Sequence, residues 1–76
     1  MNKLRRKSLQ GILDRLAELQ EDLQAIQEEE EEYRDNMPEA FQDTERYEKA
    51  DTAVSALEDA VSALEEAVEN IGTAME

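Results

Sequence analysis

Between Ala53 and Glu76 the chain reads AVSALED, AVSALEE, AVENIGT and AME, a seven-residue unit written three times and begun a fourth. Tyr47, Ala50, Val54, Leu57, Val61, Leu64, Val68, Ile71 and Met75 follow one another at alternating spacings of three and four. Such spacing places all nine residues on one helical seam, as in the a and d positions of a coiled coil. A second stripe lies beside it. Ala53, Ala56, Ala60, Ala63, Ala67 and Ala74 each precede a seam position by one residue, with Asn70 filling the gap. At about 100° per residue the two stripes cover roughly 160° of the helix. A coiled-coil seam is narrower, so this helix is expected to have two partners, one of them drawn close by the alanines. Those six alanines are the expected self-association surface.

Residues 3–34 carry the same kind of pattern. Leu9, Ile12, Leu16, Leu19, Leu23 and Ile26 repeat at three and four, Tyr33 continues the register, and Leu13 widens the stripe. This is read as the first helix, with Leu9, Ile12, Leu16, Leu19, Leu23 and Ile26 as its seam. Glu30 interrupts that seam between Ile26 and Tyr33. Gly11 lies off it and costs about 1 kcal/mol relative to Ala in a helix interior.

The two patterns are separated by Asp35-Asn36-Met37-Pro38-Glu39. Pro38 has no amide donor and disfavours helix in the residue before it. Asn36 followed by Glu39 has the spacing of a capping box for a new helical turn. Met37, Ala40 and Phe41 are expected to seal the end of a bundle, and Asp43 or Thr44 to cap the second helix, residues 44–75. Each helix is then about 45 Å long at 1.5 Å rise per residue. A connection over 35–43 folds them antiparallel. The predicted fold is all-α: a single antiparallel helical hairpin over residues 1–76, with coiled-coil packing, dimerising into a four-helix bundle. A chain this short has little core of its own, which also points to oligomerisation.

Charge fits a fold-back. Lys3, Arg5, Arg6, Lys7 and Arg15 are expected beside Glu65, Glu66, Glu69 and Glu76, and Glu28 to Glu32 beside Arg46 and Lys49. Bases at a helix start oppose the macrodipole, so an acidic neighbour gives them a reason. Exposed pairs contribute only about 0–1 kcal/mol each, enough to select orientation more than to stabilise.

Twenty-one acidic residues against eight basic give a net charge of −13. The acidity predicts repulsion from nucleic acid and anionic membranes and attraction to basic protein surfaces. The acidic candidates for such a surface are Glu28, Glu29, Glu31, Glu32, Glu58, Asp59, Glu65 and Glu66. The glutamate run at 28–32 is read as a solvated face, because successive residues point around a helix and no calcium-loop pattern follows it. There is no Cys and no His, so disulfides, thiolate metal sites and the commonest general base are absent. The serines and Tyr47 have no His to activate them, and Gly11 and Gly72 form no phosphate loop. No catalytic, cofactor or metal site is expected, and no enzymatic activity. The start, MNKLRRKSLQGILDRL, has basic residues but no apolar export core after them, so the expected location is cytoplasmic.

RRK near the start, EEEEEYRDNMPEAFQDTERYEKA and the AVSALEDAVSALEEA heptads together resemble a group of small acidic two-helix proteins of Gram-positive bacteria, their phages and mobile elements. The resemblance covers nearly the whole chain, and its most distinctive part runs from Asn36-Met37-Pro38-Glu39 to Glu45-Arg46-Tyr47. It implies a two-helix fold and a genetic setting, and carries over no functional residues. Two functions follow as expectations. One is a non-enzymatic helical interaction module that forms a homodimer and binds a partner protein. The alternative is a phage or mobile-element acidic inhibitor that mimics nucleic acid and blocks a host defence or DNA-binding protein.

Overall fold

The computed structural model describes all 76 residues. It contains two long helices, α1 over Lys3–Asp35 and α2 over Glu45–Ala74, joined by one 3-10 turn at Glu39–Phe41. The helices pack antiparallel into a rod 59 Å long and 15 by 13 Å across. No helix is long and apolar enough to cross a membrane.

Local chemistry sets the ends. The Asn2 side chain accepts a hydrogen bond from the Arg5 amide at 2.8 Å and caps α1. Asn36 ends α1 as its C-cap rather than opening a new turn. Pro38 precedes the 3-10 turn, which has no side-chain cap, so the capping-box spacing of Asn36 and Glu39 is not used. The chain has already left helical geometry at Pro38, whose ψ is 146°, as its missing amide and the clash of its ring with a preceding helical turn dictate. Thr44 caps α2 by accepting from the Tyr47 amide at 3.5 Å, and its hydroxyl donates back to the Phe41 carbonyl.

Within the hairpin, α2 uses the seam read from sequence. Ala50, Val54 and Val61 are its buried residues. Helix α1 differs. Its inward column is Leu9, Leu13, Leu16, Gln20, Leu23, Gln27, Glu30 and Arg34, all half-buried, and no α1 residue is fully buried. The expected seam of Leu9, Ile12, Leu16, Leu19, Leu23 and Ile26 is therefore corrected. Leu9, Leu16 and Leu23 face α2, whereas Ile12, Leu19, Ile26 and Tyr33 are 36%, 56%, 54% and 48% exposed. The apolar arc of α1 is wider than one helix can cover, and α2 covers only its Leu13 side.

Met37 seals the closed end, buried among the two helices' termini, while Ala40 and Phe41 stay exposed. One methionine fills the narrow space a two-helix end offers, and the 3-10 turn holds Phe41 outside it.

The charge pairing across the hairpin is also corrected. None of Lys3, Arg5, Arg6, Lys7 or Arg15 forms an ion pair, and Glu28 to Glu32 form none with Arg46 or Lys49. The stagger of the helices explains this. Arg34 meets Asp51 and Gln20 meets Glu65, so residues whose numbers sum to 85 lie level. The first two turns of α1 then overhang the end of α2, which carries Lys3, Arg5, Arg6 and Lys7 beyond reach of Glu65, Glu66 and Glu69; Arg15 is level with residue 70 but flanks the opposite side of the seam from Glu69. At the other end the first turn of α2 overhangs α1, and Lys49 pairs with Glu45 of its own helix at 3.4 Å.

Candidate interaction surface

The seam divides the rod into two unlike sides. In heptad terms Leu13, Gln20, Gln27 and Arg34 of α1 and Val54, Val61 and Val68 of α2 are a positions, and Leu9, Leu16, Leu23, Leu57 and Leu64 are d positions. In an antiparallel pair the e positions of both helices share one side and the g positions share the other.

The e side is polar and closed by hydrogen bonds. Arg34 donates to Asp51 at 2.9 Å from α1 to α2, and to Asp35 at 3.0 Å on its own helix. Its side chain is only 20% exposed. Its guanidinium is held above the usual arginine value, first by the hydrogen bond to Asp35 and then by Asp51, against the opposing cost of desolvation. A raised cation gives stability that is complete below the ordinary arginine value and is lost only when pH rises through the folded one. Arg34 is therefore a constant clasp across the working range of pH. Gln20 donates to Glu65 at 3.2 Å one turn beyond the hairpin centre. Arg34 is the residue the sequence reading passed over. Its signal was a place seven residues after Gln27 and fourteen after Gln20 in the Leu13 column, but only once that column is known to face inward.

The g side is apolar. Ile12, Leu19, Ile26 and Tyr33 lie on α1 at strict seven-residue spacing, and Ala53, Ala60, Ala67 and Ala74 answer on α2. Level for level, Ile12 sits beside Ala74, Leu19 beside Ala67, Ile26 beside Ala60 and Tyr33 beside Ala53. Ala53, Ala60 and Ala67 are half-buried against α1, while Ala56, Ala63 and Ala74 are exposed. The six alanines thus form only the α2 half of a face whose larger half belongs to α1. Toward the closed end, an open groove of about 420 Å³ runs along this side, lined by Glu30, Tyr33, Glu45, Arg46, Lys49 and Ala50.

The acidic candidates do not converge. By register Glu31, Glu58 and Glu65 edge the polar side, Glu32, Asp59 and Glu66 face outward, Glu28 lies on the outer face and Glu29 flanks the apolar side. All but Glu31 are exposed. No three acidic side chains gather where they could hold a metal ion. Their distribution along the rod is uneven, however. Residues 1–20 with 66–76 hold five bases and five acids (Asp14, Glu18, Glu66, Glu69 and Glu76) and are neutral. Residues 21–65 hold three bases, Arg34, Arg46 and Lys49, against sixteen acids, and so carry the whole −13.

No protein-family model, curated protein or solved structure matches the chain.

Proposed function

We propose that the chain is a non-enzymatic helical interaction module that self-assembles through its g side and offers its acidic exterior to a partner protein in the cytoplasm. The observation that carries this reading is the exposed column Ile12, Leu19, Ile26 and Tyr33. Four large apolar residues at seven-residue spacing on one helix are a seam without a partner, and apolar area of that extent marks interaction surfaces. Membership of the small acidic two-helix group from Gram-positive bacteria, phages and mobile elements is part of the same proposal.

The test is native mass by size-exclusion chromatography with light scattering over a wide concentration range, with circular dichroism on the same samples. A helical dimer is expected. Leu19→Glu and Ala60→Glu, each placing a charge on the g side, are expected to give monomers. A wild-type chain that stays a folded monomer throughout, or a Leu19→Glu dimer of unchanged mass, refutes the reading.

The concentration of the entire −13 in residues 21–65 favours a second reading, an acidic inhibitor that occupies the nucleic-acid groove of a host protein. Binding of that kind is steered by charge and weakens with salt. Capture of a DNA-binding protein that is indifferent to ionic strength argues against it.

A further inference from the structure

We infer that the occupant of the g side is a second copy of this chain, packed with its connection at the opposite end of the rod, so that the four helices form a bundle with a two-fold axis across its middle. This rests on the self-assembly reading above and adds the orientation.

The area fits a second copy. A compact monomer of 8.7 kDa exposes about 4,700 Å². This chain exposes 5870 Å². The surplus, roughly 1,100 Å², is somewhat above the ~800 Å² that each partner buries in a standard stable interface. Only four residues are buried in the single chain, so the hairpin has the surface of half a bundle.

The registers fit one axis. The α1 column is centred midway between Leu19 and Ile26, and the alanine column midway between Ala60 and Ala67. Those midpoints are level, given the pairing of Gln20 with Glu65. One two-fold axis through that level sets Leu19 on the second copy's Ile26, and Tyr33 on the second copy's Ile12. The alanine-bearing helices approach at the lower end of the usual 8–10 Å interaxial range, and the α1 helices at the upper end.

Sterics accept either orientation, because every layer holds two large residues and two alanines. Charge separates them. With both connections at one end, two segments of −13 lie side by side, and like charges set against each other across an interface are costly. With connections opposed, the half of each chain on the connection side of the axis, residues 23–63 at −10, lies over residues 1–22 and 64–76, which carry −3 and hold five bases, none of them in an ion pair within the chain. Arg15 and Glu29 flank the apolar column 7.5 and 6.5 residues from the axis, so each comes within one residue of level with the other's copy. The overhanging first turns, with Leu4 78% exposed, come level with the second copy's 3-10 turn, where Phe41 is 50% exposed.

The chain has no cysteine, so Gln42→Cys, at an exposed position of the connection, gives one nitroxide label per chain. Double electron–electron resonance is expected to read about 50 Å between labels, from about 35 residues of helical rise. A distance under about 25 Å, as for connections side by side on neighbouring helices, overturns the orientation and leaves self-assembly standing. A monomeric mass with no intermolecular distance overturns both. In a second arm, Arg15→Glu is expected to raise the dimer dissociation constant about tenfold, and Arg15→Glu with Glu29→Arg to restore it. A double variant as weak as the single one counts against the opposed arrangement.

Discussion

Replacing Leu19 with alanine separates a hairpin that is complete alone from one that is half of something larger. In the single chain Leu19 is 56% exposed, so most of its side chain has nothing to lose. A leucine taken from full exposure to full burial contributes about 1.5–3 kcal/mol, and slightly more than half of that remains to be gained when the g side is covered. Each chain of a dimer then gains about 1–1.5 kcal/mol at this position, and the symmetric pair about 2–3 kcal/mol. At 1.4 kcal/mol per tenfold, Leu19→Ala should raise the dimer dissociation constant by about 30- to 150-fold. Sedimentation equilibrium at several loading concentrations measures it, with Glu18→Ala, on the outer face, as the neutral comparison. The mean residue ellipticity of the concentrated variant should stay helical. If Leu19→Ala and Glu18→Ala shift the association equally, Leu19 is not at an interface and the g side is not the contact.

Three further outcomes follow from the hairpin itself. Val54→Ala removes two carbons from a side chain that is 2% exposed, which costs about 2 kcal/mol with the residual cavity and lowers the thermal midpoint by about 10 °C in a domain this small, read by circular dichroism. Gly11→Ala meets no atom within 4 Å of the added carbon and removes a helix-interior glycine, so it should add about 1 kcal/mol and raise the same midpoint. Gln27→Leu places an apolar side chain at a half-buried seam position. It should stabilise the hairpin by about 1 kcal/mol, visible as a higher urea midpoint with an unchanged slope.

Much of the hairpin was legible because its signals are local. Pro38 and Thr44 act on backbone groups within three or four residues, so the break and the start of α2 follow from chemistry that needs no distant partner. The α2 seam was legible because only one column, Val54, Val61 and Val68 with the leucines between, is both apolar and branched. The candidate surface was half legible. The alanine stripe stood out as periodic, but the larger half on α1 had been assigned to the interior.

The sequence alone determined two amphipathic helices, a break at Pro38, an antiparallel return and a net charge carried by residues 21–65. Helix periodicity, proline geometry and charge counts depend on neighbours a few residues away, which the chain itself specifies. The tertiary structure decided which side of α1 meets α2. Leu9, Leu16 and Leu23 belong equally to two seams, one completed by Leu13 and the other by Ile12, Leu19 and Ile26. Periodicity cannot choose between columns about 50° to either side of a shared one. The rotation of α1 about its own axis makes the choice: it turns the Leu13 column toward α2, where Arg34 reaches Asp51 and Gln20 reaches Glu65 across the chain, and leaves Ile12, Leu19, Ile26 and Tyr33 facing out.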